Sequence, residues 1–441
     1  MDTDPGVTAC TRDAGLVRVI GPLGLAAAIV NSVVGAGIFL LPAAMAAVAG
    51  VLAPWAFLAC AVVLGPVVIC FAEGGRRVPT SGGTYGYIEA AFGPLAGFIA
   101  GTLLSVSCVL ACGGIVGAIG DGAASVLRSE FASAARVVVI LGTLGLVTAV
   151  NINGAASGAR FIGLGTVLKL IPLFVFIIAG ALALHGTSPS AAATPPLEGF
   201  GRAMILALFA LSGMEIPLSA SGEVARPART IPRALIAAIV FVAVLYISIQ
   251  LIAQGLLGAA LAASPTPLAD AMGKIHPALR LLLLVGAFVS MLAWLGSDML
   301  GVPRLLFAFA RDGLLPAVLG RLHLRTHAPY AAILCYSGVA ALLALTGTFS
   351  ELAVLSALTI AGVYFASCAA VWALARREAE TAGPKRGLRW LTLAAAIGIA
   401  SMLLVIALAT WQEIVGLGVT VAIGALGYLL PHWMRRSPAH P

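Results

Sequence analysis

The chain of 441 residues is 61% hydrophobic and 10% charged, with a mean hydropathy of +1.08, whereas soluble domains are about 45–50% apolar and about 25% charged. No soluble fold of this length can hide that much apolar surface, so lipid is the solvent, and 51 Gly with 24 Pro suit membrane helices better than soluble ones. The basic excess behind the net charge of +8 sits in loops between apolar stretches, with no basic stripe and no interleaved aromatics, which excludes a nucleic-acid partner.

A spanning helix needs roughly 20 mostly apolar residues. Twelve stretches qualify: 18–44, 51–72, 85–117, 134–151, 161–184, 203–221, 233–257, 279–309, 329–347, 352–374, 388–410 and 413–430. Asp2 and Asp4 open the chain, and the long first stretch lacks the short apolar core and cleavage site of a secretory signal. The first, third and eighth stretches exceed the bilayer's needs and are expected to tilt, protrude or break.

The first span carries Asn31-Ser32-Val33-Val34-Gly35-Ala36-Gly37-Ile38-Phe39, then Pro42. Two glycines around one small residue weaken the backbone where lipid offers no replacement hydrogen bonds. Such a break persists only where it is buried in protein or lines a cavity. A small-residue packing face is the other reading of the same glycines.

The fifth span holds Lys169, nine residues past Arg160, hence roughly 13–14 Å along the helix at about 1.5 Å per residue. From there its stem reaches neither surface comfortably, so it needs a buried partner or neutrality.

The sixth span carries Phe209-Ala210-Leu211-Ser212-Gly213-Met214-Glu215-Ile216-Pro217. It pairs a Gly with a Pro and adds an intramembrane carboxyl, a functional candidate by default. The alternative is a protonated structural acid bonded to freed backbone groups. In the eighth span, Asp298 is a candidate counter-ion for Lys169, or else it caps local backbone or faces water.

The two interrupted spans lie five apart. That odd number inverts spans one to five against six to ten, and interrupted helices in matching places of inverted repeats point to a transporter's central site. With the N-terminus inside, nineteen of the 25 Lys and Arg fall on the cytoplasmic side. Arg128, Arg136, Arg202, Lys274 and Arg280 fall outside, and Lys169 stays within its span. The positive-inside rule therefore predicts cytoplasmic termini. Glu73, Glu89, Glu223, Arg226 and Arg311 then lie at cytoplasmic helix ends, as loop-anchoring ion pairs.

Apart from Cys10, the cysteines (Cys60, Cys70, Cys108, Cys112, Cys335 and Cys368) sit in apolar stretches without metal-like spacing, so neither a disulfide framework nor a metal site is read. All six histidines fall in loops or tails, no nucleophile motif stands out, and no cofactor is implied, which argues against a membrane-embedded enzyme. A channel would need a ring of like charges or a repeated filter sequence, and the chain has neither.

Four segments together carry a resemblance. They are Gly35-Ala36-Gly37-Ile38-Phe39; Pro79-Thr80-Ser81-Gly82-Gly83-Thr84-Tyr85 with Ala91-Phe92-Gly93; Gly213-Met214-Glu215 with Glu223-Val224-Ala225-Arg226-Pro227; and Pro303-Arg304 with Ala310-Arg311-Asp312-Gly313. In this order and on these spans the chain resembles the amino acid–polyamine–organocation superfamily of transporters along essentially its whole length. The resemblance implies an all-α membrane protein of twelve transmembrane helices, a LeuT-like five-plus-five inverted repeat with two C-terminal helices. Residues 1–375 would form the transport core, with repeats at about 18–184 and 203–374. Residues 376–441 would hold the last two spans and a cytoplasmic tail.

By the same resemblance, substrate would contact Gly35, Ala36, Gly37 and Ile38 in the first helix, and Phe209, Ala210, Ser212 and Gly213 in the sixth, Phe209 as the gate. Ala36 departs from the Ser or Thr of many relatives, so no hydroxyl contact is expected there. Lys169, Glu215 and Asp298 would serve coupling or gating. Lys169 matches a fifth-helix Lys of sodium-independent members, placed where sodium-coupled relatives hold a cation.

Physically, a half-helix N-terminus offers N–H groups to a carboxylate, and freed carbonyls opposite accept an ammonium. The expectation is secondary active, sodium-independent transport of small or apolar neutral amino acids across the inner cell membrane, by proton-coupled symport or exchange. The alternatives are a basic amino acid or polyamine antiporter and a non-transporting sensor of the same fold.

Overall fold

Proline and glycine punctuate these helices where backbone chemistry asks for them. Helix α1 (Pro22–Val33) begins on a proline, whose missing N–H no first-turn residue could have used, and stops at Val33. The chain re-enters a helix at α2 (Gly37–Ala49), so the first predicted span is two half-helices, and it runs past residue 44 to Ala49. A 3-10 turn at Gly50–Leu52 leads into α3 (Ala53–Arg77), whose last turn carries Arg76 and Arg77 against the negative end of the helix dipole. The computed structural model describes residues 20–35, 37–78, 83–124, 129–153, 155–184, 197–218, 224–382 and 388–436. Ala36, Glu223, Cys10, His185, His440 and the motif residues 79–82 lie outside that set.

The third predicted span, 85–117, divides into α4 (Gly83–Phe92) and α5 (Pro94–Ala124). Gly93 at φ +88° makes the corner and Pro94 opens the new helix. Next come α6 (Ser129–Ile152) and α7 (Ala155–Ala183). The sixth span is interrupted like the first: α8 (Leu197–Leu211) gives way to the short α9 (Glu215–Leu218). Helix α10 (Pro227–Leu257) follows, then α11 (Pro267–Gly273), a short helix within a predicted loop.

Helix α12 (Pro277–Arg311) stays continuous over 35 residues, about 50 Å against a hydrocarbon core of about 30 Å. Of the three over-long predicted spans, two break and this one outruns the bilayer. The remaining helices are α13 (Tyr330–Thr346), α14 (Phe349–Ala382), α15 (Leu388–Ala407) and α16 (Trp411–Arg436). The α16 helix places His432 on helix backbone rather than in a tail.

Among the described residues eight helical stretches are long and apolar enough to cross a membrane, accompanied by shorter apolar helices at Pro22–Val33, Leu168–Ala183 and Tyr330–Thr346. Among the described residues the one strand-like pairing is an isolated parallel bridge between Ile20 and Val224. The protein is an all-helical membrane bundle.

Its outer belt is apolar, with Val62, Val138, Ile178, Val240 and Leu342 exposed, as expected where lipid is the solvent. Polar side chains are turned inward, including Lys169, Glu215 and Asp298. Within the bundle α14 packs along α5, α12 along α7, and α10 along α3 and α1. Charges gather at the two ends. At one, Arg77 bonds Glu73 and reaches Glu378 at 3.2 Å, while Arg311 meets Asp312 at 3.4 Å. At the other, Arg136 meets Asp121 and Arg202 meets Glu413, each at 2.6 Å, and Arg280 meets Asp270 at 3.4 Å.

Candidate functional site

Breaking α1 frees carbonyls within the bundle, and those of Asn31, Val33 and Gly35 accept side-chain donors from neighbouring helices. Lys169 Nζ, from α7, donates to the Asn31 carbonyl. Tyr246 Oη, from α10, donates to Val33 O at 3.0 Å, and the Gly35 N–H reaches the same oxygen at 2.7 Å. Ser290 Oγ, from α12, donates to Gly35 O at 3.3 Å. The break is therefore a built feature, held from three helices.

The second break is held differently. Gly213 stands at φ +110°, a conformation L side chains avoid, and a Cβ there would lie 3.1 Å from Ser32 O. Glycine is thus required both for the turn and for the approach of the two interrupted helices. Glu215, 5% exposed, accepts the Gly213 N–H at 3.1 Å and Tyr364 Oη at 2.6 Å. That geometry is the alternative raised from sequence, a buried acid tied to freed backbone.

Between the breaks lies a cavity of about 50 Å³. Gly35, Gly37, Phe209, Ala210, Ser212, Gly213 and Glu215 all line it, joined by Ser107, Cys108 and Ala111 from α5, Trp294 from α12 and Ser356 from α14. The first-turn N–H groups of α2 lack intrahelical partners and start at the cavity wall with Gly37. At the end of α8 the Ser212 N–H and Oγ already bond Leu208 O and Phe209 O at 2.9 and 2.8 Å, which leaves the Ala210 and Leu211 carbonyls as the complementary acceptors. Phe209 is half-buried, sits edge-on to Phe349 at 6.0 Å, and approaches Gly37 closely. Ile38 is fully buried and does not line the cavity, so any contact it makes there is through its backbone.

A second, smaller cavity of about 20 Å³ is lined by Asn31, Ser32, Lys169, Ile216, Ala293, Trp294, Ser297 and Asp298. Lys169 and Asp298 thus face the same space, but among the described residues no ion pair joins them. Asp298 Oδ2 instead accepts from Tyr336 Oη at 2.5 Å. The expected counter-ion is close by and otherwise engaged. Ser32, Ile216 and Trp294 line both cavities.

Trp294, Tyr246, Ser290, Tyr336 and Tyr364 were not found from sequence. Each sits in an apolar helix far along the chain from its partner, and no spacing rule marks it.

A multi-span helical bundle with two interrupted helices closing on a buried, partly polar cavity defines a membrane transporter. The amino acid permease family model matches residues 20–423. The serine/threonine exchanger SteT of Bacillus subtilis is 26% identical over 445 residues, 97% of this chain and 99% of the relative. The branched-chain amino acid permease BcaP of the same organism is 26% identical over 383 residues, 79% and 78% of the two chains. An uncharacterized transporter of Mycobacterium tuberculosis is 30% identical over 322 residues, and the match spans 66% of either chain. This chain belongs to the amino acid permease family, whose members are transporters rather than enzymes.

Proposed function

We propose that the protein is a sodium-independent secondary transporter of small neutral amino acids, working by alternating access as a proton-coupled symporter or an exchanger. In this reading twelve spans form a five-plus-five inverted repeat with two further helices, residues 376–441 lie outside the transport core, and both termini are cytoplasmic. The observation that carries it is the 50 Å³ cavity between two helix breaks. At about 10–15 Å³ per water it has room for roughly four water-sized groups, the scale of alanine or serine rather than arginine. The α-carboxylate faces the α2 N-terminus and the α-ammonium the end of α8.

The lining offers no free partner for a second cationic group. Glu215 is its one acid, and that carboxyl is committed to Tyr364 and Gly213. This disfavours the basic amino acid or polyamine reading. A wider space of about 740 Å³ lies about one turn away, lined by Ile119 where the central cavity has Ile115, and by Met291 where it has Trp294. It would be the vestibule through which substrate arrives on one side. Ala36, Gly37, Ile38 and Phe209 remain assigned to substrate, and Lys169 to coupling. That SteT is a serine/threonine exchanger and BcaP a branched-chain permease agrees with a neutral substrate.

The test is uptake of labelled alanine into proteoliposomes with sodium replaced by choline. Serine, threonine and alanine should compete best, leucine less well, arginine and agmatine least. Preferred competition by arginine, or a strict need for sodium, rejects the proposal.

A further inference from the structure

Asp298 is 6% exposed, and its two carboxyl oxygens are treated unequally. Oδ2 accepts from Tyr336 Oη. Oδ1 is buried and takes no N–H or O–H donor among the described residues, the weakly donating Cys108 thiol being the carboxyl's other neighbour. An ionised oxygen left so is strongly disfavoured, and a neutral carboxylic acid or a bridging group relieves it. Across the 20 Å³ cavity stands Lys169, 2% exposed, with three donors on its ammonium and one of them bonded to the Asn31 carbonyl. The cavity takes about one water, and Ser32 and Ser297 add polar neighbours.

We propose that Asp298 is the proton-accepting partner of Lys169, and that the two exchange a proton through one water in this cavity. This rests on the transport reading above and names the residues that hold its coupling ion. In the exchange, an N–H bond of the Lys169 ammonium breaks as the water takes that proton and passes one of its own to Asp298 Oδ1. One O–H bond forms on the carboxyl and the water is regenerated. Ammonium plus carboxylate becomes amine plus carboxylic acid, with no change in net charge. A proton entering from one side of the membrane converts the site to ammonium plus carboxylic acid, and release to the other side restores it.

The Lys169–Asn31 bond ties this site to α1, so a tilt of α1 that opens the cavity frees the ammonium toward Asp298. Trp294, Ser32 and Ile216 line both this cavity and the substrate cavity. The other titratable groups around the pair are Tyr336 from α13 and Cys108 and Cys112 from α5, with Glu215 of α9 lining the substrate cavity. Helix α1 contributes only the neutral Asn31 and Ser32.

The experiment compares two readouts in proteoliposomes holding the full chain: alanine accumulation driven by an imposed pH gradient, and alanine counterflow at equal pH. Asp298→Asn, nearly isosteric and still able to accept from Tyr336, should lose gradient-driven accumulation by about tenfold or more while counterflow stays within about threefold. Asp298→Glu should restore most of the gradient response, its extra methylene entering the cavity. In wild type a pH-sensitive dye should report proton entry with each alanine taken up, which tests the proposal even if the Asn variant fails to insert. An unchanged gradient response in Asp298→Asn, equal loss of both readouts with thermal stability intact, or no proton entry in wild type overturns it. Wild type that moves no neutral amino acid by either assay overturns the transport reading itself, and the proposal with it.

Discussion

A Cβ on Gly37 would meet Leu41 at 3.1 Å and Phe209 at 3.3 Å, both flexible side-chain atoms, so a methyl group is within what the neighbours can yield. A leucine is not, because it would fill the cavity and cover the N–H groups that face it. Gly37→Leu should therefore abolish alanine binding while the protein inserts and runs monodisperse in detergent. Normal uptake by that variant would remove the first-helix site. Phe209 differs from a core phenylalanine in being half-buried on a cavity wall with one aromatic neighbour, Phe349. Truncating a fully packed Phe costs about 3–5 kcal/mol. For Phe209→Ala the loss of thermal stability should fall well below that, while uptake drops by about tenfold, equivalent to about 1.4 kcal/mol. A large stability loss with uptake nearly retained would make Phe209 ordinary packing.

At the scale of elements, both helix breaks were legible because the residues that permit them are local. Gly35 with Gly37, and Gly213 with Glu215 and Pro217, weaken a helix from within. The groups that stabilise the breaks were not legible, since Tyr246 reaches Val33 and Tyr364 reaches Glu215 from helices far along the chain. In an apolar span such a tyrosine reads as one more hydrophobic residue until a fold brings its hydroxyl to a freed carbonyl or carboxyl. A break in the third span was among the expectations, but the corner between α4 and α5 was not located although its signal was present. Gly93 followed by Pro94 is a stop and a start in adjacent residues, and continuous hydropathy on both sides masked it. Helix α11 was missed for the opposite reason: seven residues between longer spans are too few to show a period. From sequence, Asp298 is a candidate counter-ion for Lys169, and the fold brings both to one small cavity. Sequence could not show that Tyr336 and the Asn31 carbonyl take up the bonds a direct ion pair would have used.

For the whole molecule, the proposed orientation rests on where charge is allowed to sit. Basic residues between spans stay on the cytoplasmic side during insertion, and the sequence puts nineteen on one side against five on the other. Two contacts of the fold join chain segments that this proposed topology puts on one side of the membrane. Thr326, between α12 and α13, donates to Ile152 O at the end of α6, both on the side assigned to the cytoplasm. Lys274, between α11 and α12, donates to Leu256 O at the end of α10, both on the side assigned to the exterior. Lys274 and Arg321 are exposed and lie outside the substrate and proton sites, so each can carry a reporter thiol. Lys274→Cys should react with a membrane-impermeant maleimide on intact cells, and Arg321→Cys only after the membrane is permeabilised. The unsubstituted chain corrects for native thiols, since Cys335 is exposed on α13 and Cys60, Cys70, Cys108, Cys112 and Cys368 are buried. The reverse labelling pattern would invert the molecule in the membrane. The 740 Å³ space beside Arg280 would then open to the cytoplasm, whereas the direction of gradient-driven uptake, set by the gradient itself, would not change.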